Sequence, residues 1–220
     1  MRDVAAITVS SALACWLVGQ AVTALVGNSH ASWILGRASG IASYLLLVAL
    51  VATGLVLSHP YRARWHRPSA GTRLRIHLSL AVFTLAFLVL HVVVLATDEY
   101  AKVGWWGALL PMASEYRPTA VTLGVLGVYC GLLAGLTAAL AGRAAGRLWW
   151  PVHKVAGAAL ILSWLHGVLA GSDSTLLIGL YLSTAAGVLL LAFTRYSAIT
   201  AADRVRELIV ARTRWSGGRR

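Results

Sequence analysis

Six stretches of this chain are each about as long as a lipid bilayer is thick and almost free of charge. They run Val4–Val26, Ile41–Ser58, His77–Thr97, Ala120–Ala141, Val152–Ala170 and Thr175–Phe193. Apolar runs of about 18 residues or more can cross the hydrocarbon region as helices, which satisfy their own backbone hydrogen bonds there. Of all the Asp, Glu, Lys and Arg residues, only Lys154 falls inside these runs. The composition agrees, with 59% hydrophobic and 12% charged residues and a mean hydropathy of +0.76. Its 21 glycines suit membrane helices that pack closely through small residues. The expectation is an all-α, six-transmembrane-helix bundle over residues 1–193 and a basic tail over 194–220. Neither an internal repeat nor a low-complexity linker divides it.

A net charge of +12 would point to nucleic acid in a soluble protein. In a chain this apolar it reads as topology instead, and no nucleic-acid partner is expected. Arg2, the 60–76 segment (Arg62, Arg64, Arg67, Arg73, Arg75), the 142–152 turn (Arg143, Arg147) with Lys154 just beyond it, and the arginine-rich tail after Phe193 all fall on one side. Of the nineteen basic residues, only Arg37, Lys102 and Arg117 lie opposite, beside Asp98, Glu99, Glu115 and Asp173. The positive-inside rule then places both termini in the cytoplasm, in a multi-pass protein of the cell membrane.

The N-terminal run faintly resembles a lipoprotein signal up to Cys15, but its apolar character continues through Val26, so it reads as a retained first span. Cys15 and Cys130 both fall inside spans, which leaves no disulfide framework and no Cys-x-x-Cys-His attachment. The 98–118 loop, with Trp105 and Trp106, reads as an interfacial anchor. Residues 201–214, with Val205, Leu208 and Ile209 among arginines, read as an amphipathic helix at the inner surface. Its expected partner is anionic lipid, or else a soluble electron donor.

Within the third and fifth spans lie His77 and His91, fourteen residues apart, and His153 and His166, thirteen apart. Ionisable side chains in the hydrocarbon region are costly and mark function. Each pair spans roughly 20 Å at about 1.5 Å rise per residue. The two spans run in the same direction, so His77 matches His153 at the inner level and His91 matches His166 at the outer one. Neutral imidazole is a good iron ligand, and bis-imidazole ligation suits electron transfer. At about 100° per residue, His91 lies only about 40° off the face of His77, whereas His166 lies about 140° away from His153. A regular fifth helix could not offer both to one neighbour. An irregularity is therefore expected there, eased by Gly157 and Ala158-Ala159.

This constellation resembles the ferric-reductase-like transmembrane domain, the family of NADPH oxidases, iron reductases and the haem-bearing membrane partner of a bacterial methionine sulfoxide reductase. The resemblance rests on six spans, His pairs fourteen and thirteen apart on the third and fifth, basic inner loops, the Arg143–His153 turn and Trp164-Leu165-His166. It covers most of residues 39–193. It implies two b-type haems, with His77 and His153 holding the inner iron and His91 and His166 the outer. It also implies an oxidoreductase role in carrying electrons across the membrane to an extracytoplasmic reductase, ferric chelate or oxygen. The 220 residues hold no Gly-x-Gly-x-x-Gly after a strand, so the expected donor is a separate cytoplasmic flavoprotein or membrane quinol. Leu95 occupies the place where NADPH oxidases tend to carry a further His, which disfavours oxygen as acceptor.

Candidate partners for haem propionates are Arg73, Arg75 and Lys154 inside and Arg117 outside, with positive-inside topology or interfacial anchoring as the plainer reading. Phe83 and Phe87 lie between the two levels, either between macrocycles or in lipid-facing packing. His30, His59 and His66 read as solvated or interfacial. The competing class of function is a non-redox membrane protein, such as a small proton-coupled carrier that protonates the same histidines.

Overall fold

The computed structural model describes residues 26–27, 30–61, 68–140 and 149–217, the last dozen of them by backbone alone. Residues 4–25 of the first expected span, with Cys15, lie outside the described residues, as do Arg62, Arg64, His66, Arg67, Arg143 and Arg147. Seven helices and no strand occur among the described residues: α1 (Ala31–Leu57), α2 (Ala70–Thr97), α3 (Gly104–Leu109), α4 (Pro118–Ala139), α5 (Trp149–His153), α6 (Ala156–Ala170) and α7 (Ile178–Gly217). Five segments are long and apolar enough to cross a membrane, with α5 and α6 together forming one of them. This is the property of a multi-pass membrane protein. Its outer surface is correspondingly apolar: Phe83, Leu189 and Phe193 are all more than half exposed. Phe83 and Phe87 both stand on the exposed surface, the lipid-facing alternative for these residues.

Helix boundaries follow local chemistry more than hydropathy. α1 starts at Ala31, ten residues before the apolar run, because its polar residues are accommodated. Ser39 Oγ donates to the carbonyls of Leu35 and Gly36 at 2.8 and 2.9 Å, and Arg37 forms an ion pair with Asp173. α2 begins at Ala70 because Ser69 caps it, its Oγ accepting from the Thr72 N–H at 3.2 Å. α4 opens on Pro118, whose missing N–H costs nothing in a first turn. The expected sixth span and the amphipathic tail segment form one continuous helix, α7, 40 residues long.

The bundle is built from two hairpins. α1 packs most extensively on α2, and α4 on α6, while α7 leans on α1 and α6. One end of the bundle carries Arg73, Arg75, Lys154 and Arg195 (the basic end); the other carries Asp98, Glu99, Glu115 and Asp173 (the acidic end). Tyr44, Leu160 and Tyr181 form a buried cluster where α1, α6 and α7 meet. Thr184 Oγ1 donates to the Leu180 carbonyl, so the 2.6 Å contact with Tyr44 is donated by the tyrosine. Trp164 Nε1 donates to the Tyr181 carbonyl at 3.1 Å and ties α6 to α7. Hydrogen bonds between membrane helices average about 0.6 kcal/mol. Tyr44→Phe is therefore expected to lower stability by about that much, read as a small drop in the thermal unfolding midpoint in detergent.

Candidate functional site

The four intramembrane histidines meet in two cross-helix pairs. His77 of α2 faces His153 of α5 with ring centroids 6.5 Å apart and planes inclined at 67°. His91 of α2 faces His166 of α6 at 6.4 Å and 76°. Two imidazoles bound to opposite sides of one metal ion through Nε2 at about 2.0 Å each would set their centroids about 6.3 Å apart, a ring centre lying about 1.15 Å behind its nitrogen. Both pairs have that spacing.

Hydrogen bonds at the far nitrogen fix how each ring is held. His91 Nδ1 donates to the Gly36 carbonyl at 2.6 Å, His166 Nδ1 to the Ala120 carbonyl at 2.8 Å and His153 Nδ1 to the Ala134 carbonyl at 3.0 Å. A carbonyl only accepts, so Nδ1 carries the proton in each ring. His77 reaches the same state through a side chain. Thr53 Oγ1 spends its hydrogen on the Leu50 carbonyl at 2.9 Å, so it accepts from His77 Nδ1 at 3.0 Å. In all four neutral imidazoles the free lone pair is then on Nε2. Outer hydrogen bonds of this kind orient a metal-bound histidine and raise its basicity.

Glycine gives three of the four rings their room. A Cβ at Gly40 would lie 2.7 Å from His91 Cε1, one at Gly124 2.9 Å from His166 Nδ1, and one at Gly54 3.3 Å from His77 Cε1. The two hairpins repeat a pattern at the acidic end. The helix opposite each histidine supplies an accepting carbonyl (Gly36, Ala120) and, four residues on, the glycine against the ring (Gly40, Gly124).

The helix carrying His153 and His166 is broken between them, where the phase argument requires it. α5 ends at His153 and α6 begins at Ala156. Across the gap Val155 N donates to the Val152 carbonyl at 2.9 Å and Gly157 N to the Lys154 carbonyl at 3.0 Å. These are three-residue bonds. Winding at about 120° rather than 100° per residue for a few residues recovers roughly half of the phase deficit.

The candidate cations are dispersed. Arg73 Nη1 donates to the Pro68 carbonyl at 2.9 Å, and Arg75 Nη2 lies 3.5 Å from Thr72 Oγ1. Lys154 is exposed, with its ammonium 5.8 Å from the Trp150 ring centroid. Arg117 anchors the loop by donating to the Leu169 carbonyl at 2.7 Å. A cavity beside His91 and His166 is lined instead by Arg37, together with Trp33, Tyr116 and Asp173. Leu95 also lines it and fills the space against Gly36.

Among the described residues no group of three or more His, Cys, Asp or Glu could hold a bare metal ion. The arrangement instead offers two opposed imidazoles at each of two levels. No protein-family model matches this chain, and neither does any curated protein or solved structure.

Gly40→Ala should drive the His91 ring out of line at that level alone. Gly179→Ala, with open space around it, should leave both levels intact. If each level holds the haem that the resemblance implies, bound haem per chain should fall to one equivalent only for Gly40→Ala. Thr53→Val, which removes the acceptor of His77, should weaken retention at the other level by about 10–100-fold, read by competition with an apo-haem acceptor protein.

Proposed function

We propose that this chain is a di-haem b cytochrome of the ferric-reductase-like kind. It would transfer electrons from a cytoplasmic flavoprotein or membrane quinol to an extracytoplasmic acceptor, a protein or a ferric chelate in preference to oxygen. The observation that carries this reading is the pair of facing imidazoles at each of two levels, every Nδ1 committed to a neighbouring helix and every Nε2 lone pair left free. A proton-coupled carrier needs rings whose two nitrogens can exchange protons along a path, and four tethered Nδ1 atoms do not offer one.

The residues present fit such a group. A haem held between the paired imidazoles would supply one-electron iron chemistry at each level. Under this reading His77 and His153 hold the iron nearer the basic end, and His91 and His166 the iron nearer the acidic end. Thr53 and the carbonyls of Gly36, Ala120 and Ala134 hold the ligand tautomers, while Gly40, Gly54 and Gly124 admit the rings. With the basic end cytoplasmic and both termini on that side, the His77–His153 level faces the donor and the His91–His166 level the acceptor.

Purified from haem-replete cells, the protein is expected to show a dithionite-reduced b-type α band with about two haems per chain, set by its two bis-imidazole sites. His77→Ala and His91→Ala should each remove a different haem. A colourless protein, or identical losses from the two variants, would overturn the reading.

A further inference from the structure

Arg195, on α7 near the basic end, is the only buried charged side chain among the described residues, at 7% exposure. Its Nε donates to Ser58 Oγ at 2.8 Å, and its guanidinium carbon lies 4.7 Å from the centre of the Tyr196 ring. No carboxylate among the described residues pairs with it; the ion pair found there, Arg37–Asp173, sits at the acidic end. A buried cation with no anion among the described residues is costly to keep, and such a site suits an anion that arrives from elsewhere.

Its position identifies that anion. Ser58 Oγ in turn donates to the Gly54 carbonyl at 2.8 Å, and a Cβ on Gly54 would lie 3.3 Å from His77 Cε1. Arg195 is thus moored one helical turn from the seat of His77, on the side toward the basic end of the bundle. Its Nε is occupied, which leaves the two Nη groups as a planar fork suited to one carboxylate. Among the described cations at this end, Arg73 Nη1 donates to the Pro68 carbonyl, Arg75 Nη2 lies beside Thr72 Oγ1 and Lys154 is exposed, so Arg195 alone is buried.

We infer that Arg195, positioned by Ser58, binds a propionate carboxylate of the haem held by His77 and His153, an inference that rests on the di-haem reading above. A guanidinium beside that carboxylate offsets its negative charge and so favours the ferrous iron. Removing it should lower the potential of this haem and spare the other.

The test is an optical redox titration of the full-length protein in nanodiscs, with each midpoint assigned through His77→Ala and His91→Ala. In Arg195→Gln the reduced-to-oxidised ratio of the His77–His153 haem at fixed potential should fall at least tenfold, that is about 59 mV for a one-electron couple. The His91–His166 haem should not move. Arg195→Lys, which keeps the charge, should recover part of the shift. Reconstitution with the dimethyl ester of haem, which has no carboxylate for the guanidinium to bind, should weaken retention of this haem in wild type and make it equal in Arg195→Gln. No shift, equal shifts of both haems, or a retention of the dimethyl ester that still depends on Arg195 would each overturn the inference. A wild-type midpoint that responds to anionic phosphatidylglycerol through Arg195 would also overturn it, making a lipid phosphate the anion. Should Arg195→Gln not accumulate, Ser58→Ala is expected to give a smaller shift of the same sign, and its absence counts against the proposal. A colourless wild type would instead sink the di-haem reading itself.

Discussion

The hydrogen bond from a histidine Nδ1 to the helix beside it is the contact on which the rest of the arrangement depends. In a membrane, helices gain nothing from hiding apolar surface from one another, so close packing and polar contacts must hold them. Each imidazole here supplies both. Three of the four rings enter against a glycine, and three bond a carbonyl that still has a lone pair to give, with Thr53 Oγ1 serving His77 instead. Because α1 serves only the histidines of α2, and α4 only those of α5 and α6, each hairpin is locked internally before the two meet. The facing rings meet across the interface between hairpins, which also holds the Tyr44–Leu160–Tyr181 cluster and the Arg37–Asp173 ion pair.

Much of this was legible in the sequence, and what was not has a physical cause. Five of the expected spans appear as helices because hydrophobicity at bilayer length leaves few alternatives. The histidine levels follow from spacing and direction alone. The break after His153 was required by phase, since a thirteen-residue step on a regular helix cannot serve one neighbour twice. By contrast, the acceptors are backbone carbonyls of Gly36, Ala120 and Ala134, whose side chains carry no sign of that role. Gly40 and Gly124 are two among many glycines, and only the approach of a ring distinguishes them. The early starts of α1 and α2 were hidden because a capping serine and a distant aspartate offset polar residues that hydropathy counts as breaks.

The two hairpins share more than their topology. Each presents a carbonyl and then, four residues on, a glycine to the histidine at the acidic end, although the sequences around Gly36–Gly40 and Ala120–Gly124 have little else in common. Four residues is one turn of helix plus a small advance, so the carbonyl and the glycine lie on one face and together bracket the ring. Such a device repeats in space without repeating as text, which is why no internal repeat is visible along the chain. At the basic end the symmetry lapses: a threonine hydroxyl serves His77 where a carbonyl serves His153. The hydroxyl's acceptor strength depends on its own bond to Leu50, so His77 is the one ring of the four whose basicity a single side-chain change can tune without moving a helix.

The interruption between α5 and α6 also sets how the two levels respond to force. On α2 both histidines ride a single unbroken rod, so a tilt at one end is felt at the other. On the opposite wall, His153 sits on a five-residue helix joined to the rest by a tight turn. On this wall the bearing of His153 is set by its short helix and its bond to the Ala134 carbonyl, and that of His166 by α6, so the two levels answer to separate segments.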